Sequence, residues 1–252
     1  MRRRFKQIQP HRGEGSVISE VRTILFDVYG TLATWYPDRF VLHQRAASKF
    51  GIEVTKEGID AGYAVAEAYM THENTTTPIR LMTQEERDQF FAKFEQMVLK
   101  GCDIEVDLDL ADRIWHEVAK QEYELVLFDD VLANLKSLRD QGYIVGIVSN
   151  VPSGGDELAD QLGLTDSIDF AVTSSEVGFE KPDPKIFAEA LRRANSTPPK
   201  HAVMVGDQIE TDVDGAVAAG IQPVLLDRDS RHKEFSAHPR ITSLEQLNGL
   251  LC

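Results

Sequence analysis

The chain has 252 residues, with 27 Lys and Arg against 41 Asp and Glu, for a formal net charge of −14 at pH 7. That length can hold one sizeable core and a smaller companion domain, while the acidic balance argues against a nucleic-acid or anionic-membrane partner. The two cysteines, Cys102 and Cys252, have no metal-ligand spacing and offer no disulfide framework, so a cytoplasmic setting is expected.

The first twelve residues carry Arg2, Arg3, Arg4, Lys6 and Arg12 with no acid, and no apolar stretch of signal-peptide type follows. Residues 1–19 therefore read as a disordered basic tail, with an organellar presequence as the other option. No apolar run approaches the roughly 20 residues that span a bilayer. Ile24, Leu25 and Phe26 then form a short β-prone run of the kind that makes a buried strand. Asp27 follows directly and so sits at the strand's carboxyl end, the edge at which open α/β sheets bind ligands. Gly30 permits a sharp turn, and Thr31 can hydrogen-bond the Asp27 carboxylate or nearby backbone. A strand followed by an Asp-containing turn is common in α/β proteins, so Asp27 gains its weight from what comes later.

After Pro37 the patterns are helical, and no strand is expected before about Leu125. Helices are expected over Asp38–Phe50, Thr55–His72, a stretch opened by Thr83-Gln84-Glu85-Glu86, and Asp107–Gln121, with a polar break at Asn74–Pro78. Thr83 and Glu86 have capping-box spacing. The stripe of Phe90, Phe91, Phe94, Met97 and Val98 reads as bundle core and not as a cofactor box. Arg39, Arg45, Arg80, Trp35 and Tyr36 are the polar candidates of this region, equally well explained as solvated faces or joint packing.

From Phe128 helices and strands alternate: helix to Gln141, strand Ile144–Val148, helix Gly155–Leu162, strand Phe170–Val172, helix Pro184–Ala194, strand Ala202–Val205, helix Asp212–Ala219 and strand Pro223–Leu226. Such alternation implies a parallel sheet wrapped on both faces, with right-handed crossovers gathering the strand ends on one edge. Those ends are polar. Ser149-Asn150 offers a hydroxyl and N–H groups to an anionic oxygen, although Ser-Asn after a strand is more often an ordinary turn. Lys181 lies between the Gly178 turn and Pro182, which places it in an extended segment. Asp207 and Asp212 flank a strand end and a helix start, and can converge on one hard cation such as Mg²⁺. Asp212 also has a structural reading as a helix N-cap; Asp207 has none.

In this order, Asp27-Val28-Tyr29-Gly30-Thr31-Leu32, Ser149-Asn150, Lys181-Pro182 and Gly206-Asp207…Asp212 resemble the motifs of the haloacid dehalogenase-like (HAD) hydrolase superfamily. The helical insert between the first two motifs matches its subfamily I. The resemblance, from about Val21 to Asp227, implies an α/β class fold: a Rossmann-like, doubly wound parallel sheet core with an inserted four-helix cap. The core would comprise residues 20–34 and 125–252 and the cap 35–124, with joints near Ala33–Pro37 and Leu125–Asp129. It also implies Asp27 as a nucleophile forming a covalent intermediate, Ser149 as anion binder, Lys181 as charge neutraliser, and Asp207 and Asp212 as metal ligands. Asn150 and Thr31 complete the expected substrate-binding set. The expected substrate is a small anionic molecule, and the expected assembly a monomer or homodimer.

One position departs from the phosphatases of that superfamily. Their second aspartate, which protonates the leaving group, is here Tyr29. The Asp-x-Tyr-Gly-Thr-Leu form resembles the metal-independent 2-haloacid dehalogenases, but those place serine at 207, asparagine at 209 and tyrosine at 187, where this chain has Asp207, Ile209 and Phe187. A carboxylate at 207 would repel a 2-haloacid unless a cation intervened. Metal binding survives the change at Tyr29, because the resemblance assigns that position's backbone carbonyl to Mg²⁺. The expectation is therefore a Mg²⁺-dependent phosphatase, with a dehalogenase as the alternative and a binding or regulatory protein of low turnover as a third reading.

Overall fold

The computed structural model describes residues 18, 20–77 and 79–251. Apart from Ile18, the basic tail expected over residues 1–19 lies outside them, and Ile18 itself is buried and bridges Leu251. The chain divides into two units, Met1–Ala33 with Leu127–Cys252, and Thr34–Val126.

β1 (Thr23–Phe26) is buried throughout, as its Thr-Ile-Leu-Phe sequence requires of a strand with neighbours on both sides. β2 (Ala33–Tyr36) occupies most of a stretch expected to be only a joint. Its Thr-Trp-Tyr run has the β-branched and aromatic composition of a strand. The helical unit then contains α1 (Arg39–Ser48), α2 (Lys56–Thr76), α3 (Gln84–Lys100) and α4 (Leu108–Ala119). The Thr83–Glu86 capping box forms with both of its reciprocal bonds. The polar break starts later than expected, since α2 runs on to Thr76 and only Thr77 turns extended. Phe90, Phe94 and Val98 are buried, with Phe91 and Met97 packed beside them, so the aromatic stripe is core. Arg39 is fully engaged, by Asp60 at 3.3 Å, Glu67 at 3.2 Å and the face of Tyr63 at 4.4 Å. Trp35 meets Tyr123 edge-on, and β3 (Glu124–Leu127) pairs with β2.

The other unit continues through α5 (Val131–Asp140), β4 (Ile144–Ser149), α6 (Gly155–Gln161), β5 (Phe170–Thr173), α7 (Ser174–Val177), α8 (Pro184–Arg193), β6 (Ala202–Gly206), α9 (Asp214–Ala218), β7 (Gln222–Leu226) and β8 (Arg240–Ile241). The sheet order is β5-β4-β1-β6-β7-β8, and every pairing is parallel. The strand that comes first in sequence is thus central, with β4 and β6 on either side. Leu25, Val148, Val172 and Met204 pack one face of the sheet against Ile186, Phe187 and Ala190 of α8. The helix expected over Asp212–Ala219 starts differently: Ile209–Val213 form a π-helical turn, and α9 follows it. Such turns are rare and recur at functional sites. Among the described residues no helix is long and apolar enough to cross a membrane.

Candidate active site

Because β1 lies between β4 and β6, their carboxyl ends bring residues 27, 149 and 207 to one edge of the sheet. Asp27 follows β1 while still in its ladder, its N–H donating to the Val205 carbonyl at 3.0 Å. The chain then folds back on itself, with the N–H groups of Leu32 and Ala33 both donating to the Val28 carbonyl at 2.8 Å. Gly30 adopts φ 75°, a conformation that favours glycine. A side chain there would also collide with the Asp207 carboxylate. Tyr29 bridges Ala33 in this loop.

Lys181 is the electrostatic centre. Its ammonium is buried and donates to Asp27 Oδ1 and to Asp212 Oδ1, each at 2.6 Å. The lysine is the second residue of a turn closed by the Asp183 N–H donating to the Glu180 carbonyl at 2.8 Å. Burial works to lower the Lys181 pKa, yet Asp212 and Asp27 outweigh it and hold the value above that of an ordinary lysine. Burial pushes the Asp27 carboxyl up to about 6, with Lys181 opposing and Asp212 adding to the rise.

Asp212 is not the N-cap that its position suggested. It sits inside the π-helical turn, and its Oδ2 accepts from the Gln208 N–H at 3.0 Å. Gly206 makes room for that carboxylate, since a Cβ at 206 would overlap it. The Thr31 hydroxyl reaches neither the Asp27 carboxylate nor nearby backbone; it donates to Asp207 Oδ1 at 3.4 Å. Carboxylate oxygens of Asp27, Asp207 and Asp212 all lie within 4.8 Å of one another.

Ser149 and Asn150 part company. The Ser149 hydroxyl is buried and has no hydrogen-bond partner among the described residues. An unmet buried hydroxyl costs about 1–3 kcal/mol, and no described residue offsets that cost here. The Asn150 side chain is instead spent on the Lys181 backbone. It accepts from the Lys181 N–H at 2.7 Å and donates to the Lys181 carbonyl at 3.0 Å. It therefore orients the lysine, a role its sequence position did not suggest because its partner is 31 residues away. Gly206 was also missed as a site residue, although a glycine preceding Asp207 was a usable signal.

The cluster is a set of hard oxygen donors with more carboxylates than ammonium groups, which fits a hard divalent cation. Lys181 adds an ammonium group between two of those carboxylates. Comparison with known proteins gives the family. The model of the haloacid dehalogenase-like hydrolase family matches residues 21–220. A glyceraldehyde 3-phosphate phosphatase of Methanopyrus kandleri is 31% identical over 211 residues, or 82% of this chain and 84% of that protein. A ribulose-1,5-bisphosphate 5-phosphatase of Halopiger xanaduensis is 38% identical over 122 residues, 48% of this chain. The chain spans only 49% of that relative's length. The crystal structure of a HAD phosphatase from Thermococcus onnurineus superposes with a TM-score of 0.56 at 26% identity, covering 91% of this chain and 97% of that one. Solved dehalogenases share the same fold. Since the family match begins ahead of the strand that carries Asp27 and runs past the turn that carries Asp212, the chain belongs to the haloacid dehalogenase-like hydrolases.

Proposed function

We infer that the protein is a Mg²⁺-dependent phosphatase for a small phosphorylated metabolite, working through a covalent intermediate on Asp27, with Thr34–Val126 as its cap. The observation that carries this reading is the Asp207 carboxylate, clustered with Asp27 and Asp212 within 4.8 Å. Mg²⁺ is characteristically bound by one or two carboxylates together with water and substrate phosphate oxygens. The same carboxylate opposes a 2-haloacid. The names of the two relatives above support a phosphate ester as substrate.

Lys181 holds Asp27 Oδ1, which leaves Oδ2 to attack phosphorus. As that bond forms, the bond from phosphorus to the ester oxygen breaks. The ester oxygen leaves with the electron pair and takes a proton from the Tyr29 hydroxyl or from water. Water then attacks the phosphorus of the aspartyl phosphate and returns a proton to the Tyr29 phenolate or to solvent, whichever supplied the first; the bond from phosphorus to Asp27 breaks, inorganic phosphate departs, and Asp27 returns as a carboxylate. The Ser149 hydroxyl and the N–H groups after it hold a phosphoryl oxygen, and Lys181 offsets the charge. Thr31 keeps Asp207 in place. Mg²⁺ held by Asp27, Asp207, Asp212 and the Tyr29 carbonyl would supply further charge neutralisation.

Tyr29 favours a second reading, a 2-haloacid dehalogenase in which Asp27 displaces halide without metal. One set of assays separates the two: aryl phosphates, alkyl phosphates and 2-chloropropionate, each with Mg²⁺ or EDTA, and calorimetry of Mg²⁺ binding. Phosphate release that requires Mg²⁺, with metal binding lost in Asp207→Ala, is the expected result. Halide release in EDTA with no metal binding would overturn it.

A further inference from the structure

Arg228 lies two residues beyond the end of β7, and its guanidinium joins three distant stretches of the chain. Nε and Nη2 both donate to the Thr31 carbonyl, at 3.1 and 2.8 Å. Nη1 and Nη2 donate to the two oxygens of Asp130, at 3.0 and 2.9 Å. The guanidinium carbon lies 4.0 Å from the centre of the Phe128 ring. Asp130 Oδ2 accepts further bonds from the Ser243 hydroxyl at 3.0 Å and the Leu244 N–H at 2.9 Å. Arg228 and Asp130 are only 14% and 11% exposed, so these bonds are shielded from water.

The loop after β7 has its own organiser. Asp227 accepts from the N–H groups of Arg231 and His232 and pairs with Arg240 at 2.7 Å. The Arg228 fork is directed elsewhere, at the loop that begins with Asp27. That loop is fixed at its start by the sheet, through the Asp27 N–H on Val205. Its far end is fixed by the Phe128 N–H on the Leu32 carbonyl at 3.0 Å and by Arg228 on Thr31. The first tie runs directly to the segment at which the chain re-enters this unit, and the second reaches that segment through Asp130.

We propose that Arg228 is a positioning residue for hydrolysis: through the Thr31 carbonyl it holds the far end of the Asp27 loop, and with it the Thr31 hydroxyl that contacts Asp207. The proposal rests on the hydrolase reading of the site. A planar fork suits this role, because one guanidinium reaches a carbonyl and both carboxylate oxygens together, whereas an ammonium offers a single point of charge.

Arg228→Lys in the full chain tests it, with three measurements: melting temperature, hydrogen exchange of the peptide covering residues 27–34, and kcat and KM for p-nitrophenyl phosphate with Mg²⁺. The expected variant is folded, exchanges faster over residues 27–34, and loses about 10–100-fold in kcat with KM little changed. If Arg228→Lys does not fold, Asp130→Asn is used. It keeps the contact to Thr31 while weakening its anchor, and should give a smaller loss of the same kind. Unchanged exchange over residues 27–34 would overturn the proposal, as would an unchanged kcat in a folded variant or a loss confined to KM. A wild type that hydrolyses no phosphate ester or haloacid would instead overturn the hydrolase reading, and the positioning role with it.

Discussion

Replacing Lys181 with methionine keeps an unbranched stem of similar length to the lysine's four carbons and removes the ammonium. In the native protein the ammonium donates to Asp27 and Asp212 at 2.6 Å each, and the three side chains are 3%, 9% and 1% exposed. The variant leaves two carboxylates facing each other with the intervening cation gone. Removing one partner of a buried pair costs about 3–5 kcal/mol. For a chain of this size each kcal/mol lowers the melting temperature by about 2–4 °C, so the transition of the sheet-bearing unit should fall by about 6–20 °C in EDTA. Mg²⁺ should restore part of the loss, because a ligand that binds only the folded state stabilises it by mass action, and the variant's carboxylates need a cation more than those of the wild type. Differential scanning calorimetry in EDTA and in millimolar Mg²⁺ gives both numbers. A fall of less than about 2 °C in EDTA, below the shift that 1 kcal/mol would give, would refute the view that Lys181 holds the cluster together. Absence of any Mg²⁺ effect in the variant would refute the cation-site reading of the same carboxylates.

Gly206→Ala should displace Asp212 from Lys181, because the new methyl group overlaps the Asp212 carboxylate; turnover should fall about 100-fold while circular dichroism stays native. Burial opposes ionisation of Asp227, but Arg240 and the N–H groups of His232 and Arg231 prevail and hold its pKa below the usual carboxylate value. Its contribution to stability is thus present above about pH 4 and is lost as pH falls through the depressed folded value, so melting temperatures from pH 2 to 6 should show a flatter acid limb in Asp227→Asn. With tyrosine at 29, aryl phosphates should react far faster than alkyl phosphates. Tyr29→Asp should narrow that gap, and equal wild-type rates for both classes would show that another group supplies the proton.

What the sequence made legible was whatever lies close together along the chain. Asp27 after an apolar run, Asp207 and Asp212 five positions apart, and the Thr83–Glu86 box are local patterns whose geometry follows from strand and helix periods. The alternation after Phe128 gave the parallel sheet for the same reason. Features set by distant partners were not legible. Asn150 looked like an anion ligand because nothing nearby announces that its amide would face the Lys181 backbone. Thr31 was aimed at the wrong carboxylate, since only the folded loop brings Asp207 against Gly30. The two-residue strand β8 is too short to carry a period, and the π-helical turn at Ile209–Val213 differs from an α-helix start by a single hydrogen-bond step.

The place of β1 in the sheet has a consequence for the order in which the protein is made. Thr23–Phe26 leave the ribosome ahead of both their partners, which begin at Ile144 on one side and Ala202 on the other. At about 5–20 residues per second, the central strand waits several seconds for its first neighbour and longer for its second. Thr34–Val126 is synthesised complete in that interval, and its helices pack against sequence neighbours, a topology that forms quickly. The helical unit is therefore expected to reach its fold on the ribosome before the sheet can close. Nascent chains arrested shortly after the helical unit has cleared the exit tunnel should already protect residues 34–126 from protease while residues 20–30 remain cleavable. Simultaneous protection of both stretches only after release would contradict this order.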